Sequence, residues 1–76
     1  MEEVMHESGF PKDERMAKWF AYDHLPPKLQ VISRPFHDLA VRVTMVCESG
    51  PERTVALRKL LEAKDAAVRA ALHPGG

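Results

Sequence analysis

Between residues 27 and 47 the apolar side chains fall on Leu29, Ile32, Phe36, Leu39, Ala40, Val43, Val46 and Cys47, in steps that mostly alternate between three and four. That spacing returns to one face on every helical turn, and it predicts a helix from Pro27 to about Cys47 with one buried stripe. Pro35 interrupts the run. Either the helix kinks there, or Ser33 caps a fresh helix that begins near Arg34. A second stripe, Leu57, Leu60, Leu61, Ala67, Val68, Ala71 and Leu72, predicts a last helix from about Glu52 to Leu72, ended by His73-Pro74-Gly75-Gly76. The connector Glu48-Ser49-Gly50-Pro51-Glu52 carries a Ser and a Glu at capping-box spacing and a proline suited to a first turn. So short a link makes the two helices an antiparallel αα-hairpin. Upstream, Lys12 to Phe20 is rich in helix formers, and Met16, Trp19 and Phe20 predict a short N-terminal helix that stops before Pro26-Pro27. Residues 1–11, with Gly9 and Pro11, read as a flexible arm, 12–73 as the single domain and 74–76 as a disordered tail. The expected fold class is all-α.

Size changes this picture. A chain of 76 residues buries only about 60% of its unfolded surface, so a domain of this kind leans on a metal, disulfides or a partner subunit. The single cysteine, Cys47, removes an internal disulfide and the usual cysteine-based zinc site. A lone hairpin also leaves Trp19, Phe20 and Val31 asking for cover, so a symmetric homo-oligomer is the expected support. Eleven basic and eleven acidic side chains cancel, which disfavours binding along a DNA or RNA polymer but leaves room for a small anion held by a few arginines. The first residues are acidic, and no apolar run is long enough for a membrane span or a secretory leader, so a cytosolic location is expected.

Candidate chemistry is sparse. Trp19, Phe20 and Tyr22 crowd into four residues before a backbone break. Trp19 and Phe20 suit a core or an interface, and Tyr22, off their stripe, suits a stacking platform for a base. Arg34 lies at the Ser33-Pro35 break, where free amides and a guanidinium would together hold a phosphate. Lys64 falls where the last stripe expects an apolar residue, and Arg69 lies on the flank of the same helix. His37 and Asp38 are adjacent on a helix and so are expected to point to different faces. With no base near Ser33 or Cys47, no paired carboxylates and no metal constellation, neither an enzyme nor a cofactor is expected.

Phe20-Ala21-Tyr22 followed by Pro26-Pro27, then Asp38-Leu39-Ala40 running on to Cys47, then Glu52-Arg53-Thr54-Val55-Ala56-Leu57-Arg58-Lys59-Leu60-Leu61-Glu62-Ala63, form an ordered set of short motifs. In order and spacing this set resembles a family of small phage proteins, the anti-CBASS sponges that sequester cyclic oligonucleotide signals. The resemblance implies a helical protomer in a homohexamer that binds cyclic di- and trinucleotides between subunits. It also implies that the messengers are held uncleaved, in the cytoplasm of an infected bacterium. It maps the base-stacking tyrosine onto Tyr22. The phosphate-contacting basic residue falls near Ser33-Arg34, with Lys28 in reserve, and a late arginine maps onto Arg69. This chain departs from the family in extra residues between Tyr22 and the prolines, in Pro35, and in Asp65-Ala66-Ala67 where the family carries a tryptophan. The rival expectation is a helical oligomerisation or protein-interaction module of a phage.

Overall fold

The computed structural model describes residues 9–11 and 14–76. A 3-10 turn at Ala17–Phe20 leads through a connector to helix α1, Pro27–Val46, and helix α2, Pro51–Leu72. The described chain is thus all-α, and the inner helix ends fall within one residue of those predicted. Both helices open on a proline, at the position where the missing amide has no intrahelical partner to lose. The Pro26 carbonyl accepts the Leu29 and Gln30 amides at 2.9 and 3.0 Å, and the Gly50 carbonyl accepts the Thr54 amide at 3.1 Å. The expected capping box between Ser49 and Glu52 does not form: Pro51 at the first helical position makes Gly50 the cap, which has no side chain to offer the first amides. After α2 the chain turns, with the Gly76 amide donating to the His73 carbonyl at 3.2 Å.

Pro35 neither ends α1 nor starts a new helix; one helix runs through it. The amide it lacks would answer the carbonyl of Val31. Val31 is 74% exposed, so water reaches that side of the helix and the cost of the lost bond is kept low. Ser33 therefore lies mid-helix rather than at a cap, and the free amides expected beside Arg34 are not there.

The buried line of α1 also differs from the expected one. It runs through Ser33, His37, Ala40 and Thr44; only Ala40 belongs to the expected apolar stripe, most of which lies about 100° round the helix. Ile32, Phe36 and Val43 are half-buried on the margin, while Leu39 and Val46 are exposed. The core consists of Phe10, Ala17, Phe20, Ala40 and Leu57, flanked by Met16, Phe36, Val41, Val43, Leu60 and Leu61. Small side chains on α1 let the N-terminal segment and α2 approach closely. The molecule is 48 × 24 × 16 Å. Its shortest dimension is little more than the diameter of one helix, about 10–12 Å, so each helix keeps a wet side.

The N-terminal segment supplies the missing cover on one flank. Of the arm expected over 1–11, residues 1–8 lie outside the described residues, but Phe10 is fully buried. Its ring meets Phe20 at 6.0 Å and the edge of His37 at 5.4 Å. Gly9 precedes it with φ +98°, and a Cβ there would meet Val41 at 3.5 Å. A side chain would be strained in that left-handed conformation, so glycine is what lets the chain turn Phe10 into the core. The helix expected over 12–20 contracts to the four-residue 3-10 turn, and residues 12 and 13 lie outside the described residues. No helix among the described residues is long and apolar enough to cross a membrane.

Candidate functional site

The connector after the 3-10 turn is tied down by α1. The Leu25 amide donates to the Tyr22 carbonyl at 3.0 Å, and Gln30 Nε2 donates to the Leu25 carbonyl at 2.7 Å. This fixes Tyr22, which is half-buried, against the side of α1. Its ring meets His37 edge-on at 4.9 Å, and the Arg34 guanidinium sits 5.7 Å from the ring centroid. His37 Nδ1 lies 3.0 Å from Asp38 Oδ1, and Arg34 Nε lies 3.8 Å from Asp38 Oδ2. The expectation that His37 and Asp38 face apart is corrected here: the short carboxylate reaches back across one residue to its neighbour's ring. The result is a chain of contacts from Phe10 through His37 to Tyr22 and out to Arg34. A flat ring is held against α1 with a guanidinium over it, an arrangement that brings together groups able to meet a base and a phosphate.

Five residues were expected to bind ligand, and the fold divides them. Tyr22 and Arg34 meet. Ser33, one residue before Arg34, points about 100° away from it and enters a different site, where Arg69 joins it. Lys28 joins neither group: it is exposed on the first turn of α1, six residues from Arg34 and so about 120° round the helix.

The second site is an open cleft of about 450 Å³ where the 3-10 turn, the connector, α1 and the C-terminal half of α2 converge. Trp19, Leu25 and Val68 give it apolar walls, and Lys18, Lys64 and Arg69 give it cations. Lys64 takes a position that the stripe reserves for an apolar residue. Its stem is covered and its Nζ reaches Asp65 Oδ1 at 3.1 Å. Ser33 is 1% exposed, and its hydroxyl has no hydrogen-bond partner among the described residues. Trp19, expected in a core or interface, is 54% exposed at the edge of this cleft, with the Lys18 ammonium 5.1 Å from its ring. The short N-terminal helix explains why it lies outside the core. On a four-residue 3-10 turn only Ala17 and Phe20 turn inward, and Trp19 is left outside. Lys18 and Trp19 were missed as site residues because adjacent lysine and tryptophan carry no spacing signal of their own.

At the opposite end, Arg53 is built into the fold. Its guanidinium donates to Glu14 Oε1 at 2.8 Å, to the Cys47 carbonyl at 3.2 Å and to the Thr44 carbonyl at 3.5 Å. Glu14 Oε2 in turn accepts the Met16 amide at 3.1 Å. Among the described residues, no group of three or more His, Cys, Asp or Glu is placed to share a metal ion.

No known protein family, no curated protein and no solved structure matches this chain.

Proposed function

We propose that this protein binds and sequesters cyclic di- and trinucleotide messengers without cleaving them, and so blocks CBASS anti-phage signalling in the cytoplasm of an infected bacterium. The observation that carries the reading is the pairing of Tyr22 with Arg34, a half-buried ring with a guanidinium over it, 5.7 Å from its centroid. A cyclic oligonucleotide presents flat bases and one charge per phosphate, and such a pair answers both. Zero net charge is compatible with this, because an oligomer repeats the pair at every seam without needing a basic groove. The bare strip Leu39, Val46 and Val31 along α1 supports assembly through further copies, the homohexamer being the expected form. Calorimetry against a panel of cyclic di- and trinucleotides tests the proposal, with the ligand recovered afterwards for mass analysis. The expected result is heat for at least one member and an unmodified ligand; no heat for any member overturns it. Tyr22→Ala is expected to weaken binding by about 1–3 kcal/mol per stacked base, read in the same titration.

A second reading, a helical oligomerisation module, is favoured by that same exposed strip. It predicts assembly without ligand binding, and co-purification with a specific protein partner.

A further inference from the structure

We infer that His37 is the positioning residue for the Tyr22 ring, and that Phe10 makes this hold depend on the N-terminal segment; its bearing on ligand binding rests on the function proposed above. The Tyr22 backbone is tied to α1 through the Leu25 amide and Gln30. That tie leaves the ring itself free to turn about its side-chain bonds. Among the described residues the ring meets Arg34 at 5.7 Å and His37 at 4.9 Å. The Arg34 side chain is 66% exposed, and its pair with Asp38 is 3.8 Å long. A long, solvated side chain of this kind follows the ring and does not hold it. The His37 side chain is 10% exposed, so it cannot shift without disturbing the core.

The imidazole is itself held. The Phe10 ring stands at 89° to it at 5.4 Å, and Phe10 is fully buried, 6.0 Å from Phe20. An imidazole turns easily about its last bond. Here Nδ1 lies 3.0 Å from Asp38 Oδ1, which fixes that rotation. A position packed against a buried phenylalanine for stability alone is ordinarily apolar. Histidine supplies there what an aliphatic side chain lacks, a flat ring whose angle a carboxylate can set. Tyr22, which crosses that ring at 67°, takes its orientation from it.

The consequence for a ligand is preorganisation. A base that meets a ring already in place does not bear the cost of ordering it. The order of support runs from Phe10 to His37 to Tyr22, so loosening Phe10 loosens the ring two contacts away.

Tyr22 is the only tyrosine in the chain, so 3-fluorotyrosine gives one fluorine signal, and its relaxation reads how freely this ring turns. The test compares four variants of the full chain. His37→Asn removes the ring and keeps a group able to bond Asp38, whereas His37→Phe keeps a flat ring and loses that bond. Phe10→Leu loosens the support behind His37. Thr44→Ala, seven residues further along the same buried line, removes a hydroxyl that donates to the Val41 carbonyl at 2.7 Å and serves as a destabilised control. The ring is expected to turn freely in His37→Asn, less freely in Phe10→Leu, and as in the unaltered protein in His37→Phe and Thr44→Ala. A ring as restrained in His37→Asn as in the unaltered protein overturns the inference, as does a ring equally freed in Thr44→Ala. One measurement needs no substitution: nuclear Overhauser contacts between the Tyr22 and His37 ring protons are expected in the unaltered protein, and their absence overturns the inference even if every variant fails to fold. In calorimetry with a cyclic dinucleotide, His37→Asn is expected to weaken binding about three- to tenfold and His37→Phe to restore it to within about twofold. Undiminished binding by His37→Asn overturns the link to affinity. If the unaltered protein binds no cyclic nucleotide, the function proposed above falls, and the fluorine measurement still decides whether His37 sets the ring.

Discussion

The two ends of the hairpin handle buried polar groups in opposite ways. At the turn, the Arg53 guanidinium is taken out of water and given a carboxylate and two carbonyls, and that carboxylate is itself bonded to a backbone amide. At the open end, among the described residues, a more deeply buried hydroxyl has no partner, and Lys18 and Arg69 have no acid. Both ends use the same helices and the same N-terminal segment, so the difference does not come from the packing style. A buried group whose partners are all present reports what holds the protein together. A buried group without a partner lowers stability where it stands.

The largest expected effect tests the closed end. Glu14→Ala leaves Arg53 largely buried without its carboxylate; the two side chains are 12% and 8% exposed, Arg53 first. Removing one partner of such a pair costs about 3–5 kcal/mol, which urea unfolding will read as a large fall in midpoint. A loss below about 1 kcal/mol would place the pair with ordinary surface contacts and erase the contrast. Next is the open end, where the sign reverses. Ser33→Ala is expected to stabilise the free protein by about 1–2 kcal/mol, because it deletes a desolvated hydroxyl that bonds to nothing. Destabilisation by the same change, measured in the same urea series, would mean that the hydroxyl is already satisfied. The smallest effect belongs to the surface between the ends. Lys59→Ala breaks a 3.9 Å pair with Glu62 in which both partners are mostly exposed, and it is expected to change stability by less than about 0.5 kcal/mol.

How much of this was legible in the chain follows from which physics each feature depends on. The two long helices were, because Pro27, Pro51 and the apolar periods act locally. The face that α1 buries was not. Ser33, His37 and Thr44 are inside because Phe10 and α2 need small or flat neighbours, and that requirement comes from tertiary contact. Phe10 itself was hidden by its setting: one aromatic beside a glycine and a proline has no period to read. The site was half legible. Aromatic and cationic residues could be picked from the chain, but Ser33 and Arg34 look like one locus in sequence and stand in two places on a helix. Lys18 and Trp19 became visible only when the short N-terminal helix proved to be a single 3-10 turn.

Pro35 has a mechanical consequence. A helix is a stack of tied rings, and the tie from Val31 is the one this stack lacks. A rod with one tie missing is softest at that point, so α1 flexes there more readily than anywhere else along its length. The half before that point carries Ser33, and the half after it carries Ala40 and Thr44. That soft point lies between Arg34 and His37, the two side chains of α1 that meet the Tyr22 ring.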